Sequence, residues 1–169
     1  MEYYPQNTTE LITAINNANG IGGSHTIELK SNQLYLLTTV EDTTDGNGDS
    51  ALPRITANVH IVGNGAILKR ATTQDCRILH IGPYATDVRI DGVKFLNGKL
   101  TVAHSHGGAI KNEGSLKLRN TIFEGNQAGE VSQGGYGGAI FNKGTLTVES
   151  SNFEYNVADA EGGAIYNDI

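Results

Sequence analysis

The residues best suited to chemistry lie in one polar stretch in the first third of the chain. Oxygen-bearing side chains recur there at short intervals, between glycines that permit tight curvature: Asp42, Asp45, Asn47 and Asp49. Hard oxygen ligands in such a pattern suit Ca²⁺. However, Ser50 and Thr56 stand where a calcium-binding EF-hand loop has its glycine and its bidentate glutamate. We interpret the stretch as a polar insertion, with a Ca²⁺ site as the alternative.

Two further groups of charged residues could serve an enzyme that acts on polysaccharides. Glu124 and Glu154 occupy equivalent positions thirty residues apart, and glycoside hydrolysis requires a pair of carboxylates. Arg89, Asp91 and Lys94 lie close together, as the carboxylate and base of a lyase would. Both groups equally suit a solvated surface. We therefore predict no catalytic residue and keep a lyase or glycoside hydrolase as an alternative function.

Composition excludes several classes of partner. The 169 residues include 12 Lys+Arg and 18 Asp+Glu, a net charge of −6, whereas nucleic-acid binding needs a basic face. No apolar run reaches the roughly 18 residues that span a bilayer, so no membrane insertion by this segment is expected. Residues 1–5 lack the basic and apolar parts of a signal peptide. The single cysteine, Cys76, cannot form an internal disulfide, and we predict that it is buried and inert.

Internal repetition dominates the second half of the chain. Gly-Gly-Ala-Ile occurs three times, at 107–110, 137–140 and 162–165. A second unit, Leu-x-Leu/Val followed by Phe-x-x-Asn, recurs thirty residues apart at 116–126 and 146–156. Repeats of this length are typical of solenoids, propellers and arrays.

The content of each repeat selects among these architectures. Apolar residues alternate with period two over three to five positions, which is the strand period. Short strands joined by Gly/Asn turns predict an all-β fold, a right-handed parallel β-helix of about five coils, the last incomplete. Side chains of equivalent position should then stack in columns, with Leu118 on Val148, Phe123 on Phe153, and Ile110 on Ile140 and Ile165. Asparagines at the turns should form hydrogen-bonded ladders: Asn112, Asn142, Asn167, Asn126 and Asn156.

The two ends of the solenoid differ. Residues 7–19 predict an amphipathic helix, with Asn7 as its N-cap, Glu10 completing a capping box and Gly20 ending it. Such a helix would cover the exposed edge of the first coil. We expect one domain over 1–169, with coils from 26 to 169. Because the repeat pattern runs up to Ile169 without a second cap, we expect a longer β-helix, or end-to-end self-association through the open carboxyl-terminal coil.

Three connections of unequal length point to a binding face. Residues 98–106, 127–136 and 157–161 share one phase of the repeat, so they should emerge on one side. Insertions on one face of a repeat protein often form its binding face. The side chains there that best suit recognition are His104, His106 and Tyr136.

The paired units resemble a known family. Gly-Gly-Ala-Ile with Phe-x-x-Asn is similar to the repeat of the polymorphic outer membrane proteins of chlamydiae and of bacterial surface proteins with right-handed parallel β-helices. Residues 10–19 with 26–29 resemble the usual cap and first strand of that wider set, and 52–67 with 77–79 resemble its early coils.

The resemblance implies a cell-surface or extracellular segment of a longer exported protein. Its expected function is that of a non-enzymatic adhesin or passenger scaffold, with a host or cell-surface protein or glycan as partner. A structural stalk is the third alternative.

Overall fold

The computed structural model describes residues 1–130 and 134–168, so residues 131–133 of the second connection and Ile169 lie outside the described residues. Strands make up most of its regular structure, with one helix near the amino terminus. The elements in chain order are β1 (Glu2–Tyr3), α1 (Thr8–Ile21), β2 (Ser24–Glu28), β3 (Leu34–Leu37), β4 (Asn58–Val62), β5 (Ile67–Arg70), β6 (Leu79–Ile81), β7 (Val88–Asp91), β8 (Lys94–Leu96), β9 (Lys99–Leu100), β10 (Ile110–Asn112), β11 (Ser115–Arg119), β12 (Ile122–Glu124), β13 (Gln127–Ala128), β14 (Ile140–Asn142), β15 (Thr145–Glu149), β16 (Asn152–Glu154), β17 (Val157–Ala158) and β18 (Ile165–Asn167).

The strands form four parallel sheets that the chain visits in turn. Sheet 1 has the order β1-β2-β4-β7-β11-β15, sheet 2 the order β3-β5-β8-β12-β16, sheet 3 the order β9-β13-β17 and sheet 4 the order β6-β10-β14-β18. From β2 to β15 the chain returns to sheet 1 four times, which gives about four turns of a solenoid. The predicted parallel β-helix is confirmed. The sequence predicted about five coils because that number included the incomplete last coil.

The predicted side-chain columns are present in the core. Phe123 stacks on Phe153 with ring centroids 4.9 Å apart and planes 3° apart, and Phe95 extends the column at 4.8 Å. Leu118 pairs in register with Val148 in sheet 1, and Ile110 pairs with Ile140 in sheet 4. Like residues therefore repeat above one another because parallel strands pair with their equivalents one turn away.

Both asparagine ladders are also present. Asn112 donates from Nδ2 to Oδ1 of Asn142 at 2.7 Å, and Asn142 donates in the same way to Asn167 at 2.5 Å. In the second ladder Asn126 donates to Oδ1 of Asn156 at 2.9 Å. Buried amides thus satisfy one another along the solenoid, as buried polar groups must.

An earlier, weaker copy of the Phe-x-x-Asn unit, Phe95-Leu96-Asn97-Gly98, has its asparagine one residue early. Asn97 has φ 61°, and the equivalent positions Gly125 and Tyr155 have φ 63° and 55°. Asparagine tolerates this left-handed conformation better than most residues. Gly98 then stands at the ladder position, and its N–H donates to Oδ1 of Asn126 at 2.9 Å.

The predicted capping helix is confirmed, with a later end. Asn7 accepts at Oδ1 from the N–H of Glu10, and the helix runs through Gly20 to Ile21. Gly22, at φ 69°, ends it and donates to the carbonyl of Ala18. The end moves because a glycine stops a helix only where the backbone turns left-handed. The buried face of the helix consists of Leu11, Ala14, Ile15 and Ala18.

One strand precedes this helix, and the period-two pattern gives no sign of it. Glu2 and Tyr3 form β1, which pairs in parallel with Thr26 and Ile27 of β2. The first coil is therefore covered by α1 over its core and by β1 along the edge of sheet 1. No helix in the described part of the chain is both long and apolar enough to cross a membrane.

Candidate functional site

The candidate site lies on the outer surface of sheet 4. The middle residue of each strand there is in register with its neighbours, and together they form one row: His80, Lys111, Phe141 and Tyr166. Flanking residues such as Ile110 face the core, and side chains alternate across a strand. The first half of the row is basic and the second half is aromatic, so the two halves form different environments.

The polar insertion at 42–49 packs against the basic half. Asp45 accepts from Nη1 of Arg77 at 2.8 Å and from Nζ of Lys111 at 2.9 Å. Arg77, which is fully buried, also donates to the carbonyls of Asn47, Gly48 and His106. One guanidinium therefore fastens the insertion to the solenoid.

This pairing extends into a network of buried and half-buried charges. Nζ of Lys111 lies 3.2 Å from Oε1 of Glu113, and Oε2 of Glu113 lies 2.9 Å from Nε2 of His80. At the start of the insertion Asp42 accepts from Nε of Arg54 at 3.1 Å. Burial alone would raise the pKa of Asp45, but the Lys111 hydrogen bond and the charges of Arg77 and Lys111 lower that pKa to about 2.

The predicted Ca²⁺ ligands are only partly free in this arrangement. The carboxylates of Asp42 and Asp45 are bound to protein cations. Nδ2 of Asn47 donates to the carbonyl of His104, and the carbonyl of Asp49 accepts from the N–H of Arg77. Across residues 1–130 and 134–168, no three His, Cys, Asp or Glu side chains form a metal-binding group. The Ca²⁺ site stays a prediction.

Chelation tests it. Because arginine and lysine already neutralise the insertion, we expect EGTA to leave the melting temperature unchanged, and added Ca²⁺ to leave it unchanged as well. Differential scanning fluorimetry of the intact chain measures both, with Asp45→Asn as the comparison variant. A rise in melting temperature on adding Ca²⁺ that Asp45→Asn abolishes would instead establish the metal site.

The aromatic half of the row contributes to a small cavity of about 210 Å³, called here the aromatic pocket. Its lining consists of His106, Tyr136, Phe141, Tyr166 and Asp168. Phe141 stacks on His106 with centroids 4.1 Å apart and planes 9° apart, and on Tyr166 at 5.6 Å and 15°. Tyr136 is tilted by 60° against His106 and by 55° against Tyr166.

The predicted binding residues divide between the pocket and its surroundings. Strand bridges place His106 beside Tyr136 and Tyr136 beside Glu161, so the described parts of the three connections do lie on one side. His104 is exposed and lies outside the pocket lining. Sequence reasoning missed Phe141 and Tyr166, although one signal was available: both directly follow Gly-Gly-Ala-Ile.

The aromatic pocket contains one carboxylate, that of Asp168, and a histidine that is neutral at pH 7. Burial, and then the charges of Lys111 and Arg77, lower the pKa of His106 to about 4, so its imidazole is neutral at pH 7. Burial raises the pKa of Tyr166, and the carboxylates of Glu161 and Asp168 raise it further. The pocket therefore combines four aromatic rings with nearby negative charge.

The other sequence candidates are held in ion pairs or exposed. Glu124 lies 2.5 Å from Nζ of Lys94, whereas Glu154, its neighbour in register, is exposed. Arg89 forms a bidentate pair with Asp87 at 2.9 Å. Nε2 of His60 and Nε of Arg119 lie 2.7 and 3.1 Å from the carboxylate oxygens of Asp91. The pairs made by Arg89 and Asp91 line a cavity of about 510 Å³ on sheet 1 and neutralise much of its charge.

Cys76 is buried as predicted, and burial raises the pKa of its thiol to about 11. A thiol with so high a pKa carries almost no thiolate at neutral pH, and the thiolate is the reactive form. Cys76 therefore contributes packing and not chemistry.

Comparison with known proteins finds a similarity in the repeat region. Residues 120–143 and 150–168 match the Chlamydia polymorphic membrane protein repeat. Searches of the curated proteins and of the solved structures returned no match. The matched segments include β12 to β14 and β16 to β18, with four of the five ladder asparagines and the Phe141–Tyr166 part of the aromatic pocket. The carboxyl-terminal coils of this β-helix are thus similar to the Chlamydia polymorphic membrane protein repeat.

Proposed function

We propose that the chain is a surface-exposed adhesin or passenger segment of a longer exported protein. Its coils serve as a scaffold, and one face displays connections that bind a protein or glycan of another cell. The observation that carries this proposal is the meeting of His106, Tyr136, Phe141 and Tyr166 in one half-exposed pocket on that face. Tyrosine and other aromatic residues dominate the energetic centres of binding interfaces.

The scaffold suits display because its interior fixes the positions of surface residues. The phenylalanine column and the asparagine ladders hold successive coils in register. A binding surface that is already ordered loses little conformational entropy when a partner binds. The repeat family supports a surface location, since its members are described as membrane proteins.

Cell binding tests the proposal. The purified chain, coated on fluorescent beads, is expected to bind cultured animal cells, and Tyr136→Leu should reduce that binding at least about fivefold, because central aromatic anchors contribute about 1 kcal/mol or more. Tyr84→Leu is the matched control, because Tyr84 is 83% exposed and lies outside the pocket. Pretreating the cells with protease or with glycosidase separates a protein partner from a glycan.

Two results would contradict the proposal. Equal binding by wild-type and Tyr136→Leu beads, with both proteins folded by circular dichroism, would remove the pocket from the function. Turnover of acidic or neutral polysaccharides by the purified chain would favour the enzymatic alternative.

A further inference from the structure

We propose that the aromatic pocket binds an organic cation, either the guanidinium or ammonium of a basic side chain on a partner protein or a free quaternary amine. This inference rests on the proposed function, and it names the chemistry that the pocket would recognise. It follows from the ring geometry, the charge and the size of the pocket.

The rings offer surfaces in two orientations. His106, Phe141 and Tyr166 form a nearly parallel stack, and Tyr136 stands beside it, inclined by 55–60°. Because His106 and Tyr166 cover both faces of Phe141, a group that enters the corner beside Tyr136 meets the ring of Tyr136 on one side and the edges of the stack on the other. Aromatic faces carry negative electrostatic potential and attract cations within about 6 Å of the ring centroid.

The charges around these rings favour a cation over an anion or a neutral sugar. Asp168 lines the pocket, and Glu161 lies beside Tyr136 in the next coil through an isolated bridge. The nearby cations, Lys111 and Arg77, are both bound to Asp45, and Lys111 also pairs with Glu113, so two carboxylates offset the two positive charges. A carboxylate next to aromatic rings attracts a cation by both Coulomb and cation–π forces, whereas a neutral sugar gains nothing from the net charge.

The size of the pocket limits the ligand to a small group. Its volume of about 210 Å³ is below the ~300–1,000 Å³ of cavities that enclose drug-sized ligands. One trimethylammonium or guanidinium head group is of suitable size, and the rest of the ligand would extend into solvent. The rings are positioned by backbone pairing: Phe141 pairs with Tyr166 and His106 with Tyr136.

Titration of the full chain with defined probes tests the inference. The probes are choline chloride, N-acetyl-arginine methylamide and, as the neutral comparison, methyl glucoside, followed by two-dimensional NMR. Both cations should shift the resonances of Tyr136 and Tyr166 with millimolar affinity that weakens as salt is added. Tyr166→Leu and Asp168→Asn should each weaken cation binding about three- to thirtyfold. Tyr84→Leu and Glu154→Gln, exposed residues outside the pocket, should leave it unchanged.

The relative affinities of the two cations distinguish the two possible sources of the ligand. Preference for the arginine probe indicates a basic side chain of a partner protein, and preference for choline indicates a free quaternary amine. No shift with either cation at 100 times the concentration of protein, or tighter binding of methyl glucoside, overturns the inference. Bead binding that still requires Tyr136 after such a result would leave the proposed function standing. Cation binding without any bead binding would overturn the proposed function alone.

Discussion

Gly138→Ala is expected to destabilise the protein by about 3 kcal/mol or more, the upper range for overpacking a tightly packed site. A Cβ at Gly138 would lie 2.2 Å from the carbonyl oxygen of Gly163 and 2.6 Å from the carbonyl carbon and oxygen of Val157. These are backbone atoms of the next coil, so no side-chain rotation can relieve the clash. Urea denaturation followed by circular dichroism measures the loss.

The repeat itself supplies the control. Gly163 is the second glycine of its own Gly-Gly-Ala-Ile copy, as Gly138 is of the preceding one, but its Cβ would meet only the carbonyl of Asn156 at 3.7 Å. Gly163→Ala should therefore change the free energy of unfolding by about 0.5 kcal/mol or less. Equal effects of the two substitutions would mean that the motif needs glycine for backbone conformation and not for the close approach of coils.

Arg77→Met is expected to cost about 3–5 kcal/mol, the range measured when one partner of a buried ion pair is removed. Methionine fills similar volume but leaves the carbonyls of Asn47, Gly48 and His106 without their donor, and Asp45 without one of its two cations. Thermal unfolding of the two proteins at pH 7 gives the difference. Arg119→Met is the control: its ion pair with Asp91 is exposed, and exposed pairs contribute about 0–1 kcal/mol.

The ion pair between Arg77 and Asp45 predicts a contribution to stability that is lost in acid. The folded-state pKa of Asp45 is about 2, below its ordinary value of 3.8. A carboxyl group with a lowered pKa stabilises the fold above its unfolded pKa and loses that contribution as pH falls through the folded value. The difference between wild type and Asp45→Asn should therefore be full at pH 5 and shrink between about pH 4 and pH 2. A difference that stays constant across this window would contradict the assignment.

The sequence predicts the parts of the fold that depend on local and repeated patterns. Phe123 and Phe153, thirty residues apart in equivalent units, had to stack if successive coils were in register, and their rings do. The Asn112 and Asn142 ladder follows from the same translation. In both examples, residues one repeat apart in the sequence are in contact in adjacent coils.

The site was harder to predict because its contacts join segments that the repeat does not relate. Arg77 binds Asp45 across 32 residues, and Lys111 binds Asp45 across 66. Asp45 lies in an insertion that has no counterpart in the repeated units, so spacing gave no reason to connect it with sheet 4. The same acidic side chains suggested a Ca²⁺ site because their sequence pattern shows oxygen donors but not the cations that face them.

Register in sheet 4 also has an evolutionary consequence. Because each rung contributes one side chain to the outer row, duplication of a thirty-residue unit by unequal recombination would lengthen the rod by about 4.8 Å and leave its interior unaltered. Phe141 and Tyr166, now adjacent, would be separated by whatever residue the new unit carried between Ile and Asn. Gain or loss of single units could thus diversify the recognition surface while the hydrophobic interior stayed constant.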